Sequence, residues 1–357
     1  MNIAIFSPNQ NPYSETFIQA HKKNLKGKIF YYYGAGNQIK LENDTLKNTL
    51  LDRSQFKLFK RLSYFWKVKL LKSLRDNKID SILIEYGNHA HNLLPLLKKL
   101  EIPFVVHFHG YDASVNSVVE TCNNYKDVFN LANKVIVVSN VMKQKIENMG
   151  CTKNKIVLST YGPNDLFFNI KPTFSKKQFI SIGRFVEKKA PNLLILAISK
   201  VVAKYPSYVL KMAGDGVLLN DCKNLVTNLG IGNNVQFMGV VTPELYRNEL
   251  QNSLAFVQHS ITADNGDMEG TPLAVLEASA AGVPVVSTYH AGIPDVIIHE
   301  QTGLLCEEKD VQKMAENLIE LIENKELATR LGANGKARIK NEFNMSLHIS
   351  KIQKTLN

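Results

Sequence analysis

At 357 residues the chain is long enough for two domains of ordinary size, and 45% hydrophobic with 21% charged residues is the make-up of a globular protein. Four scattered cysteines (Cys122, Cys151, Cys222 and Cys306) form no C-x-x-C pair, which argues against a zinc site or a disulfide framework and fits a reducing cytoplasmic compartment. No apolar run of about 18 residues occurs, and the first residues lack a signal peptide's basic start and long apolar core, so the chain is expected to be neither membrane-spanning nor secreted. The net charge of +11 is unevenly shared. Residues 1–170 hold 23 Lys and Arg against 13 Asp and Glu, whereas the remainder holds 20 against 19. The first half is therefore expected to face something anionic, either nucleic acid or an acidic membrane surface.

In chain order, residues 2–6 read as an apolar strand, and Ser14 is placed to cap a helix over 15–25 with Phe17, Ile18 and Leu25 inward. A strand at 29–33 and a basic, aromatic helix at about 54–77 follow. On a helical wheel, Leu58, Phe59, Leu62, Phe65, Trp66 and Leu70 fall on one side of that helix, and Lys57, Lys60, Arg61, Lys67, Lys72 and Arg75 on the other. An apolar face carrying the only tryptophan, opposite a dense basic face, predicts docking on an anionic membrane surface. Strands at 81–85, 104–108 and 135–139 alternate with helices up to about 149. The second half repeats the pattern, with strands at 179–183, 209–213, 235–238, 255–258, 283–287 and 303–306 and helices at 311–324 and 326–343. Such alternation predicts α/β domains with parallel sheets and crossover helices. The stretch 161–172 lacks periodicity, carries two prolines and reads as a linker. The expected division is a first Rossmann-like domain at 1–165, a second at 173–343, and a terminal helix within 344–357.

The densest chemistry lies at 264–287. Its first part is polar and glycine-containing, hence a loop. Thr271 is expected as N-cap and Pro272 as the first helical residue, with Gly282 ending the helix. Glu269 then precedes the helix, and Glu277 sits about 9 Å further along its axis, expected to face mostly solvent. The N–H groups of the helix start, at Gly270, Thr271, Pro272 and Leu273, make a place for phosphate, proline contributing none itself. A diphosphate there, with a carboxylate on either side for hydroxyls, is what a nucleotide-sugar would need. Upstream, Gly183, Arg184 and Lys189 follow a strand and open a helix, where a glycine turn and two cations suit a diphosphate. Ala213-Gly214-Asp215-Gly216 is above all a turn. His107 and His109 close the strand at 104–108 and are expected on opposite faces, His107 packed and His109 at the carboxyl end, where ligands bind in open α/β sheets. Asp264 and Asp267 have the spacing of a metal pair, but their place in a late polar loop reads as solvated.

Glu269-Gly-Thr-Pro-Leu-Ala-Val-Leu-Glu277-Ala, with the following Ala281-Gly-Val-Pro-Val-Val-Ser287-Thr, resembles the E-x7-E signature of retaining GT-B glycosyltransferases of family 4. The resemblance extends over nearly the whole length. It implies two Rossmann-like domains facing across a cleft, a final helix crossing back to the first domain, and a nucleoside-diphosphate sugar as substrate. It implies that Glu277 binds the ribose, that Glu269 and the amides of Gly270–Leu273 hold sugar and phosphates, and that Arg184 and Lys189 neutralise the diphosphate, with Gly214 beside the donor pocket. In the family's G-R-x-x-x-x-K-G segment, Ala190 here replaces the usual glycine. His109-Gly-Tyr-Asp112 matches an H-G-x-D segment whose histidine lies beside the donor sugar. Glu15 (in Ser-Glu-Thr-Phe-Ile), His91 and Asp112 are assigned to the acceptor side, and His89 to the same loops. Asp295 stands where such enzymes carry glutamate, in a loop read as pocket wall. No metal and no other cofactor is expected, and the acceptor is expected to be a saccharide or a lipid-linked saccharide met at the cytoplasmic membrane face. A nucleotide-sugar binder or epimerase, or a basic nucleic-acid-binding protein, are the competing readings; nucleic acid is not expected as a partner.

Overall fold

The computed structural model describes residues 1–10, 12, 15–44 and 62–357, without the side chains of 37 and 62–66. It divides into two compact units, one of Met1–Ser159 with Ile349–Asn357 and one of Thr160–His348. The break falls at 159/160, so the stretch read as a linker is counted with the second unit.

The first unit holds a seven-stranded sheet in the order β3-β2-β1-β4-β5-β6-β7. Its strands are β1 (Asn2–Ser7), β2 (Lys28–Tyr33), β3 (Lys40–Leu41), β4 (Ser81–Glu85), β5 (Phe104–His107), β6 (Lys134–Val137) and β7 (Ile156–Leu158). Every pairing is parallel except the short β2–β3 edge. The central strands are apolar without alternation because helices cover both sheet faces, as Ile82, Leu83, Ile84, Val105 and Val106 show by their near-complete burial. The first helix, Thr16–Asn24, has Glu15 at its N-cap position with no side-chain cap bond; Ser14, the expected cap, lies outside the described residues. The terminal helix Met345–Leu356 buries Ile349, Ile352 and Leu356. Within the first unit, Gln353 Oε1 accepts from Lys26 N at 2.7 Å.

Of the basic, aromatic stretch, the helix Leu62–Asp76 is described, while residues 54–61 lie outside the described residues. Leu70 and Leu74 are fully buried, and Lys72 and Arg75 are exposed. The last turns of this helix therefore pack into the core of the first unit with their cations outward.

The second unit holds a six-stranded, all-parallel sheet, β10-β9-β8-β11-β12-β13. Its strands are β8 (Gln178–Ile182), β9 (Val209–Ala213), β10 (Val235–Gly239), β11 (Ala255–Val257), β12 (Val285–Thr288) and β13 (Gly303–Cys306). One face packs under the helix Pro191–Lys204, whose Leu194, Ile195, Ile198 and Val201 recur at helical spacing and are buried. The helix Leu273–Ala281 has little amphipathic character because it is buried almost all round, and it ends at Gly282 in the left-handed conformation (φ 80°). Among the described residues no helix is long and apolar enough to cross a membrane.

Candidate functional site

In the second unit, three loops at the carboxyl ends of the strands are tied together. The turn after β9 lies against the turn after β8. Gly183 N donates to Ala213 O and Phe185 N to Asp215 O. Gly214 has φ +132°, and a Cβ there would stand 1.9 Å from Gly183 O, so only glycine permits this approach. Ala190 closes the turn after β8 in the left-handed region (φ 38°, ψ 52°), the conformation that a glycine at this place would adopt without strain.

The same turn grips the loop that precedes the helix Leu273–Ala281. Glu187 Oε1 accepts from Asp264 N at 2.8 Å. Lys188, which the sequence reading passed over, is buried and donates to Asp267 Oδ1 (2.9 Å) and Met268 O (3.1 Å). Asp267 is thus an ion-pair partner of a lysine, not a solvated side chain. Lys189 Nζ lies 3.1 Å from both Glu269 Oε1 and Gln258 Oε1. Burial alone would raise the Glu269 pKa, but Lys189 and Lys188 outweigh it and hold it at about 2. Burial lowers the Lys189 pKa, with Glu269 opposing. Arg184 is exposed.

Behind Glu269 stands a relay that no motif announced. Glu308 Oε1 lies 2.6 Å from His290 Nδ1, and His290 Nε2 accepts from Glu269 N at 3.1 Å. The carboxylate on one ring nitrogen requires a proton there, which leaves the other to accept the amide. Gly292 N also donates to Gly270 O, so the loop carrying Asp295 borders the Gly270 backbone.

The helix begins one residue later than expected. Pro272 is the N-cap (φ −64°, ψ 120°), Leu273 is the first helical residue, and no side-chain cap bond is made. Thr271 is therefore displaced from the cap into the buried turn before it. Glu277 corrects the expectation of a solvent-facing side chain: it is half-buried, and desolvation pushes its pKa up to about 8. No hydrogen bond or ion pair reaches its carboxylate from the described residues. Tyr246, buried on the helix Pro243–Asn252, has a hydroxyl with no partner among them, and the Glu277 charge adds to the burial that raises its pKa. Two polar groups are thus left to be satisfied by something else.

In the first unit the carboxyl ends of β4 and β5 meet around Glu85. This residue is fully buried, 2.8 Å from His21 Nδ1 and from His109 Nε2, and 3.5 Å from His107 Nδ1. Burial would raise its pKa; the facing His21 and the hydrogen bonds from His107, His109 and His21 overcome this and hold it well below the carboxylate range. Burial pushes His107 down to about 3. The rings of His107 and His109 are 4.2 Å apart, which corrects the expectation of opposite faces. Residues two apart along a strand share a face, and it is Phe108 between them that points away, to Tyr125 and Phe129. His21, Glu85 and His107 offer ligand atoms within 4.8 Å of one another. The 2.8 Å between His21 and Glu85 is hydrogen-bond spacing, and the carboxylate is already engaged on both oxygens.

His109 is packed between Phe17 and Tyr86, each with its ring centroid 4.6 Å away. Asp112, assigned to the acceptor side, is fully buried and braces the turn instead. It accepts from His109 N (3.0 Å), Gly110 N (2.9 Å) and Gly87 N (2.8 Å), which engages both of its oxygens. Glu15 Oε1 accepts from Tyr86 Oη (2.9 Å) and Asn9 Nδ2 (3.0 Å), which joins the first helix to this cluster. His91 sits within the helix Gly87–Leu97, in electrostatic reach of Asp127, and has no bond to the cluster in the described residues. His89 is buried, its pKa lowered to about 4 by desolvation.

Comparison with known proteins matches residues 164–338 to the family described as Glycosyl transferases group 1 and residues 42–159 to Glycosyltransferase Family 4. The amylovoran biosynthesis glycosyltransferase AmsK of Erwinia amylovora is 29% identical over 283 residues, covering 78% of this chain and 70% of that protein. A putative colanic acid biosynthesis glycosyltransferase, WcaL of Escherichia coli, is 27% identical over 67% of this chain, a match that spans 60% of that protein. The crystal structure of Anabaena HepE in complex with UDP-glucose superposes with a TM-score of 0.80 at 16% identity, covering 100% of this chain and 99% of that one. The likeness establishes the GT-B fold.

Proposed function

Because the chain belongs to the family 4 (group 1) glycosyltransferases, we propose that it transfers a sugar, with retention, from a nucleoside diphosphate to an acceptor hydroxyl in the assembly of a cell-surface polysaccharide or glycolipid. One observation carries the reading: on a single loop-helix unit, Glu269 is charged and paired with Lys189, while Glu277 has a raised pKa and no partner in the described residues. A half-buried carboxyl beside a tyrosine hydroxyl with no partner among the described residues is made for the hydroxyls of a ribose. The amides of Gly270, Thr271 and Leu273 take the phosphates, since the first turn of a helix has no internal acceptors for its N–H groups. Glu269, anchored through His290 and Glu308, orients the sugar.

Transfer then breaks the bond between the anomeric carbon and the phosphate oxygen and forms one from the acceptor oxygen to the same carbon on the same face. The acceptor's proton passes to the leaving phosphate. Arg184 and Lys189 carry the departing charge, so the reading requires no metal. His109 is the candidate catalytic histidine, and Glu15 belongs to the acceptor side. The names of the relatives favour transfer over an epimerase and over a nucleic-acid reading. A lipid-linked saccharide reached at the cytoplasmic membrane face would suit the basic helix, each cation near an anionic bilayer being worth about 1 kcal/mol. Co-sedimentation with anionic vesicles should be lost on changing Lys60, Arg61 and Lys67 to glutamate; equal binding by both proteins would remove this anchor.

The main test is thermal unfolding with a panel of uridine and guanosine diphosphate sugars. One donor should raise the melting temperature and, with a saccharide acceptor, release its nucleoside diphosphate. Release of an altered sugar nucleotide without acceptor would make the protein an epimerase instead.

A further inference from the structure

We propose that Glu85 is a positioning residue for His109, fixing that imidazole in the tautomer protonated at Nε2 without itself touching a ligand. The inference deepens the role given to His109 above and rests on it. Glu85 closes β4, and its side chain is wholly inaccessible to solvent, so no substrate reaches it. A carboxylate accepts hydrogen bonds and donates none, so each ring nitrogen facing it must carry a proton. His109 Nε2 at 2.8 Å and His21 Nδ1 at 2.8 Å, one on each oxygen, are therefore both N–H donors. A buried carboxylate without such donors would be strongly unfavourable, and this one holds its charge because they are there.

The rest of the surroundings makes the hold rigid. Phe17 and Tyr86 pack against the His109 ring, and Asp112 holds its backbone N–H at 3.0 Å. Tyr86 is in turn held by Glu15 through a 2.9 Å bond. His21 is the second clamp on the carboxylate. It comes from the helix Thr16–Asn24, far from β5 in sequence, so the arrangement is made by the fold and not by a local motif.

The test uses the full chain with 15N-labelled histidine. Comparison with His109→Ala assigns the His109 imidazole, which should show protonated Nε2 in the wild type and lose that preference in Glu85→Gln. Either a wild-type ring protonated only at Nδ1, or a ring unchanged by Glu85→Gln, overturns the inference. The wild-type spectrum decides the first point even if Glu85→Gln does not fold. Turnover supplies a second readout, taken with whichever of UDP-glucose and GDP-mannose is turned over. Glu85→Gln should lower kcat by about tenfold or more and leave the donor KM within about threefold. In a His109→Ala background the same change should alter kcat by less than about twofold, because both substitutions remove one function. An independent loss in that background shows that Glu85 acts otherwise and overturns the inference. Full turnover by His109→Ala would instead remove the catalytic role of His109 and leave the tautomer result standing.

Discussion

The carboxyl ends of the two sheets solve one problem, a buried carboxylate, with different partners. Around Glu85 the first unit gathers imidazoles, whose protonation is adjustable and whose two nitrogens are distinct. Around Glu269 the second unit gathers Lys188 and Lys189, whose charges hold its pKa down. In the first cluster the Glu85 carboxylate is engaged on both oxygens. The second is half open, since Glu277 and Tyr246 are left for a ligand to complete. An engaged carboxylate orients one side chain, whereas an open cluster binds, and the two should therefore fail in different ways when substituted.

The largest expected effect separates those failures. His109→Ala should reduce kcat by about 100-fold or more while donor affinity by calorimetry stays nearly constant. His107→Ala should lower the melting temperature more than it lowers turnover, because His107 is neutral and packed. The reverse outcome would exchange the two histidines.

On the open side, Glu277→Ala should weaken donor binding by about 1–3 kcal/mol, the cost of lost hydrogen bonds to a charged group, with little change in kcat. The pH dependence sharpens this. The folded pKa of about 8 lies above the ordinary value, so the protonated form prevails at neutral pH and the carboxylate's cost to stability grows as pH rises toward 8. Ribose hydroxyls donate to the carboxylate, so binding releases a proton and affinity should rise between about pH 6 and pH 8. In Glu277→Ala the slope should vanish, which titration in buffers of different ionisation enthalpy would show. Affinity independent of pH in the wild type would count against the ribose contact.

A smaller effect probes the turn that carries the lysines. Ala190→Gly should stabilise the second unit by about 1 kcal/mol by relieving a left-handed alanine. Such a gain corresponds to roughly 2–4 °C in melting temperature for a unit of this size. An unchanged or lower melting temperature would show that the turn is unstrained. The smallest expected effect is none: activity should survive excess EDTA, since Arg184, Lys189 and a helix start handle the diphosphate charge. Loss on chelation with recovery on adding magnesium or manganese would contradict that reading.

Local order was legible because it rests on local rules. Period and punctuation marked the six strands of the second sheet and five of the seven in the first, missing the short β3 and β7, along with Gly282 as helix stop and the spacing from Glu269 to Glu277. The departure from glycine at Ala190 was visible in the chain, and the structure shows its cost as a positive φ. The start of the helix Leu273–Ala281 was legible only to within a residue, since Pro272 serves as cap or first helical residue with nearly the same φ. The histidines misled because the period-two rule puts His107 and His109 together, not apart.

What sequence by itself determined is therefore the fold class, the family and the loop that would hold a donor, because each follows from residues close along the chain. The tertiary structure alone decided which of those groups are charged and which are held. Glu85 meets His21 across 64 positions, Lys188 meets Asp267 across 79, and His290 meets Glu308 across 18. Ionisation depends on burial and on the partners that burial brings near, and only packing specifies either. Two glutamates eight residues apart thus end on opposite sides of neutrality, one near 2 and one near 8.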